Sequence, residues 1–259
     1  MFLKLVLTMA IAWASESSSV TGSTSLSVPY PSGISAGNML VLCIEGKSSG
    51  ATAPTASGFV GAGDNSLIVG NAGACILIRE ATGSESGNLT VTATDWTHTL
   101  AKIIRLTNAT GVWDQSECVQ GSDTISGGVY SALCNDFDPP DLDSGDYFVV
   151  ATGLASETGL SPPVTSGHAI TATGLTVSSA DIRESTDILD EGNGAAAIIT
   201  LHSATAGSNI TVAPTYSFSQ SSVNANGATV LLRLREGEGV EPPTAKDWLH
   251  YFRQYSGAA

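Results

Sequence analysis

The sequence predicts an all-β protein, an antiparallel β-sandwich of jelly-roll type with two similar halves and a short C-terminal helix. Three observations predict it. Of 259 residues, 42% are apolar and only 13% charged, and the chain is rich in Gly, Ser, Thr, Ala and Val. That balance favours strands and turns over helices while leaving enough apolar surface for a core. Short apolar runs alternate with turn residues at fairly regular spacing, which is the pattern of sandwiches and barrels. Finally, two series of these runs resemble one another.

Taken in order, residues 1–8 form an extension and 9–235 the sandwich. Met1 to Ala14 carries a Lys, a short apolar run and an Ala12-Trp13-Ala14 ending, which imitates a secretory signal peptide. Cleavage there would make the protein secreted. The run is too short to span a bilayer, and the alternation of Met9-Ala10-Ile11-Ala12-Trp13 predicts an N-terminal strand or arm instead. Strands are then expected at Ser25 to Val28, Met39 to Glu45, Gly73 to Ala81, Asn88 to Asp95 and Thr99 to Thr107. A second series follows at Asp146 to Ala155, Leu175 to Ala180, Ala195 to Ser203, Asn209 to Ser217 and Ala228 to Arg235. Ser48-Ser49-Gly50, Ser126-Gly127-Gly128 and Ser161-Pro162-Pro163 punctuate them.

Residues 236–243, with Pro242-Pro243, read as a linker that no central strand could contain. Residues 244–259 read as a helical arm: Thr244 can cap it, and Trp248, Tyr251, Phe252 and Tyr255 recur at helical spacing on one face. A helix of about eleven residues is not stable alone in water, so that face must dock, on the sandwich itself, a neighbouring subunit or another partner.

The two series match at several positions, either as a true repeat or as a chance alignment within a chain rich in Gly, Thr and Val. Ala36-Gly37-Asn38-Met39-Leu40-Val41 matches Ser144-Gly145-Asp146-Tyr147-Phe148-Val149. Gly73, Ala74, Ile78, Asn88, Thr90, Val91 and Thr94 recur at Gly194, Ala195, Ile199, Asn209, Thr211, Val212 and Thr215, all at one offset of 121. Each half closes similarly, with Ile103-Ile104-Arg105-Leu106 and Leu231-Leu232-Arg233-Leu234. The link between the halves is short, so the expected product is one sandwich with pseudo-symmetry, each half covering the other's apolar faces.

The formal charge is −14, and no Lys or Arg occurs between Arg105 and Arg183, a stretch holding ten Asp and Glu. Such a surface repels phosphate, which argues against nucleic acid and anionic membranes as partners. Gly46-Lys47-Ser48-Ser49-Gly50 fits a nucleophile-elbow pattern, but Pro54 and two Thr stand where its helix would start. His98, His168, His202 and His250 are too dispersed for a close ligand spacing, so no catalytic residue, metal centre or cofactor is assigned. Asp136 to Asp146 is the densest acidic segment, read as a solvated loop. Its minority reading is a calcium site at Asp141, Asp143 and Asp146, although Thr152 occupies the twelfth position where a bidentate Glu belongs. Cys43 and Cys75 lie in apolar runs and are expected to be buried thiols. Cys118 and Cys134 flank a hairpin-like segment, where either free thiols or one bond would fit.

Met9-Ala10-Ile11-Ala12, the turn Pro31-Ser32-Gly33 and the run Ser35-Ala36-Gly37-Asn38-Met39-Leu40-Val41 resemble the opening of β-sandwich structural proteins of tailed bacteriophage virions. Asn38 stands where those proteins usually carry Asp. The resemblance spans roughly 9–235. It implies a virion protein of head-decoration, head-fibre or tail-fibre type, with no catalytic residues. Implied partners are other virion proteins, such as the major capsid or tail protein, together with further copies of the chain. A carbohydrate-binding adhesin is the competing class, in which Trp96, Trp113 and Tyr130 would stack on a cell-surface glycan.

Overall fold

The structure, a computed structural model, describes residues 10–109, 118–125, 129–131, 146–156, 165–173, 177–187, 194–203, 211–218 and 225–234. The first half holds β1 (Ala12–Glu16), β2 (Val20–Gly22), β3 (Ser25–Pro29), β4 (Met39–Ser48), β5 (Thr55–Ala56), β6 (Val60–Val69), β7 (Ala72–Glu80), β8 (Asn88–Thr92) and β9 (Trp96–Thr107). The second holds β10 (Cys118–Ile125), β11 (Val129–Ser131), β12 (Tyr147–Ser156), β13 (Thr165–Thr173), β14 (Val177–Asp187), β15 (Gly194–Ser203), β16 (Thr211–Phe218) and β17 (Ala225–Leu234). Every described pairing is antiparallel, from β1 with β9 to β6 with β7.

The halves repeat one strand order. The large sheet of the first half runs β1-β9-β4-β7-β6, with β2 continuing β1 along β9, and that of the second runs β10-β17-β12-β15-β14. The small sheets are β3-β8-β5 and β11-β16-β13. Counting β1 and β2 as one strand, each half places its first, eighth, third and sixth strands in one sheet and its second, seventh and fourth in the other. This is jelly-roll order, with the fifth strand added to the large sheet.

Sequence alternation decides which residues lie between which layers. On β4, Met39, Val41 and Cys43 face a central core, while Leu40, Leu42 and Ile44 face a separate core beneath β3 and β8. Both faces are covered, which explains the unbroken apolar run Met39 to Ile44. The central core also takes Leu100, Ile104 and Leu106 of β9 and Tyr147, Val149, Val230, Leu232 and Leu234 of the second half. The two large sheets therefore pack face to face, with β4 and β7 against β12 and β17. Each half forms its own pair of sheets instead of lending strands to one shared sandwich.

At Gly153 the two sheets come close together: a Cβ there would collide with the Gly73 carbonyl oxygen and lie 3.0 Å from the Gly46 nitrogen. Gly46 and Gly73 are paired across β4 and β7, so bare backbone meets bare backbone. On the far side, a Cβ at Gly73 would lie 2.6 Å from the Trp96 ring.

Register supports the repeat in one place and corrects it in another. Leu40 pairs with Arg105 and Phe148 with Arg233, as the matched closing motifs require. On β15, however, Ala151 pairs with Ile198, just as Cys43 pairs with Ile76. Ile198 thus takes the inward place of Ile76, an offset of 122 where the sequence match has 121. A one-residue slip reverses every side chain, and burial overrides letter similarity.

The N-terminal strand forms as expected, with a bulge between Trp13 and Ser15. Strands the sequence did not mark, such as β6, β10 and β13, are polar or Gly-rich and sit at sheet edges. Bulges interrupt β6, β13 and β14, a common defence against edge-to-edge association. The helix expected within 244–259 lies outside the described residues.

Cys43 and Cys75 are buried thiols without a disulfide, and burial pushes the Cys75 thiol up to about 12. Neither should react with a thiol reagent at pH 8 until the protein is unfolded. Rapid native labelling of Cys75 would contradict this packing. Cys134 lies outside the described residues.

Candidate functional site

Three places bear on function, and the acidic segment comes first. Its last residue, Asp146, is not solvated but buried at 1% exposure beside a fully buried Arg233. Arg233 Nε and Nη2 donate to Asp146 Oδ2 at 2.8 and 2.7 Å. This corrects the solvated-loop reading at Asp146 and removes that carboxylate from the calcium set, because a guanidinium already occupies it. Asp141 and Asp143 lie outside the described residues. Among the described residues, no cluster of His, Cys, Asp and Glu could hold a metal ion.

The first half carries the corresponding contact with different charge. Arg105 Nε donates to Ser15 Oγ at 2.9 Å, and Nη1 donates to Asn38 Oδ1 at 3.2 Å and to the Gly33 carbonyl. Asn38 and Asp146 open matched strands and bind the matched arginine of the closing strand. Arg105 is partly exposed, so water can serve the charge that Asn38 leaves unneutralised; Arg233 has no such access.

Trp96 is the second place, and here the sugar-stacking expectation is corrected. Its ring is fully buried in the core beneath the small sheet, and its Nε1 donates to the Thr52 carbonyl at 3.1 Å. A ring enclosed on both faces cannot receive a sugar. Tyr130 lies on β11 opposite Tyr216; Trp113 and the docking residues Trp248, Tyr251, Phe252 and Tyr255 lie outside the described residues. The elbow serine, Ser48, ends β4 at 1% exposure, and its Oγ donates to the Gly50 carbonyl at 2.7 Å. No helix follows it.

The third place was not singled out from sequence. Lys102 of β9 points between the large sheets with 5% exposure, and its Nζ donates to Glu16 Oε1 at 2.9 Å and to the Arg183 carbonyl of β14 at 2.8 Å. Arg183 Nε donates to Thr200 Oγ1 at 3.0 Å, and its guanidinium lies 4.4 Å from the centre of the Trp13 ring. Glu45 of β4, fully buried, faces the same layer. A signal existed: alternation along Met39-Val41-Cys43-Glu45 and Leu100-Lys102-Ile104 puts one acid and one base among inward apolar residues. Charges there are rare unless paired.

A fourth carboxylate organises the turn after β7. Glu85 accepts from the Thr82 and Gly83 backbone nitrogens at 2.9 Å each and lies 3.0 Å from Arg79 Nη2. Burial raises its pKa, but the Thr82 and Gly83 bonds outweigh burial and lower it to about 2. The bound state is thus favoured above the unfolded-state pKa and lost as pH falls from about 4.5 towards 2. For this partly exposed group, the loss should be about 1 kcal/mol. Glu85→Gln should melt at the same temperature at pH 2 and pH 5 more nearly than wild type does; equal acid sensitivity would refute the assignment.

Comparison with protein-family models, with curated proteins and with solved structures gives no match to this chain.

Proposed function

We propose that the protein is a structural component of a bacteriophage virion, a capsid decoration or head-fibre protein that binds the particle and stabilises it. A tail-fibre module is the nearest alternative. The observation that carries this reading is the placement of the motif behind the virion-protein resemblance. Ala36 to Val41 leads into β4, and Asp146 to Val149, the described part of its counterpart, leads into β12; these are the middle strands of the two large sheets. In both, the third motif residue binds the arginine of the closing strand. This repeated use of Asn38 and Asp146 supports reading the resembling residues as a structural unit.

Two general considerations support the same reading. Jelly rolls are common in viral capsid proteins and lectins, which is an argument from fold analogy. The acidic balance opposes nucleic-acid binding and leaves protein partners, including other copies of the chain, as the chemically favoured class. The aromatic arm carrying Trp248, Tyr251, Phe252 and Tyr255 is the proposed anchor, reaching a capsid or tail protein through the Pro242-Pro243 linker.

Imaging of purified particles tests this reading. Density fitting the two-lobed sandwich should appear at repeated positions on the head, and a chain ending at Glu236 should lose that density. Particles lacking the protein altogether would overturn the proposal; sugar binding by the free protein would favour the adhesin class.

A further inference from the structure

Lys102 stands between two carboxylates on neighbouring strands. Glu16 of β1 pairs with Ile104 and so lies diagonal to Lys102 on one side. Glu45 of β4 pairs with Leu100, while Lys102 pairs with Cys43, so Glu45 lies diagonal on the other. Long side chains reach across such diagonals. Lys102 Nζ already lies 2.9 Å from Glu16 Oε1, held there by a second bond to the Arg183 carbonyl. The other oxygen, Glu16 Oε2, is buried without a hydrogen-bond partner. A half-satisfied carboxylate against a buried ammonium is a costly arrangement.

We propose that Lys102 and Glu16 condense into an intramolecular amide, a covalent staple holding the N-terminal strand β1 to β9, with Glu45 as the proton-transfer group. The step begins with passage of one proton from Nζ to the Glu16 carboxylate across their 2.9 Å contact, giving a neutral amine and a carboxylic acid. The Nζ lone pair then attacks Cδ of Glu16. Glu45 takes a proton from the nitrogen and delivers one to the departing hydroxyl. The Cδ–O bond breaks, the Cδ–Nζ bond forms, and one water leaves; nothing is oxidised or reduced. Fixed contact between the reacting groups supplies the proximity. The product removes the buried ammonium charge of Lys102, the charge of Glu16 and one carboxyl oxygen.

The staple suits a strand that is otherwise weakly held. β1 is a sheet edge, interrupted by a bulge, and β10 fills the matching place in the second half with an unbroken ladder. Val230 stands on β17 where Lys102 stands on β9, and Gly153 on β12 where Glu45 stands on β4. The half with the broken edge is the one that carries the three charged residues.

Intact-mass measurement of the denatured full chain provides the test. The wild-type protein should be lighter by one water than its sequence requires. Tryptic digestion should show the peptide 5–47 joined to 80–105, with no cleavage after Lys102. Lys102→Met should restore the full mass while circular dichroism remains β-rich. Glu45→Gln, which retains both joined residues, should leave most of the chain unjoined. A full-mass wild-type chain that trypsin cleaves at Lys102 would overturn the proposal and leave an ordinary ion pair. A joined Glu45→Gln chain would overturn the role given to Glu45.

Discussion

Gly153→Val should separate the two large sheets and destabilise the protein by about 3 kcal/mol or more, at the upper end of overpacking effects. For a chain of this size, that corresponds to a fall in melting temperature of roughly 6–12 °C. The cause is specific: the obstacle met by a new side chain is the Gly73 carbonyl and the Gly46 nitrogen, and backbone cannot rotate away as a side chain can. Behind Gly73 stands the Trp96 ring, which blocks retreat of β7. Thr90→Val, on the exposed face of β8, provides the matched control and should change stability by less than about 0.5 kcal/mol. Thermal melts of the two variants decide the matter. Equal stability would mean that the sheets do not approach each other at Gly153.

Asp146→Ala should cost about 3–5 kcal/mol, because it strands a guanidinium with no exposure to water. Asp146→Asn should also be costly, since it removes the neutralising charge from Arg233. The reciprocal change in the first half, Asn38→Asp, should be neutral or stabilising by up to about 1 kcal/mol, because Arg105 is partly exposed and already bonded to that position. Urea denaturation of the three variants measures the asymmetry. If Asp146→Asn and Asn38→Asp have equal and small effects, burial does not distinguish the two arginines.

Much of this architecture was legible in the letters. Alternation and punctuation located β4, β7, β9, β12, β15 and β17, because strands with neighbours on both edges and cores on both faces must be nearly continuous in apolar residues. The edge strands were harder. β6 reads Val60-Gly61-Ala62-Gly63-Asp64 before its apolar end, and β13 reads Thr165-Ser166-Gly167-His168; neither stretch shows the apolar alternation that marks a strand, and both are paired through backbone to one neighbouring strand. The repeat was visible, but its register was not. Matching Gly194 to Gly73 looked natural, whereas the pairing of Ala151 with Ile198 sets a different offset. Letter identity in a low-complexity sequence is weaker than the requirement that an Ile face the core.

The sites followed the same division. Asp146 was noticed as part of an acidic run, yet its partner Arg233 is 87 residues away and paired only through adjacent strands. Trp96 offered an aromatic ring without any mark that it lies under a small sheet. Glu45 and Lys102 were readable as inward charges, but their proximity depends on the β4–β9 register, a long-range property.

The central claim is that two matched jelly rolls share one core and stabilise each other across it. Amide hydrogen exchange followed by mass spectrometry tests this most directly. Peptides from β4, β7 and β9 and from β12, β15 and β17 should exchange with a common, highest opening free energy, and Gly153→Val should lower both sets together. Two distinct protection levels, with the second half exchanging freely while the first stays protected, would contradict a shared core.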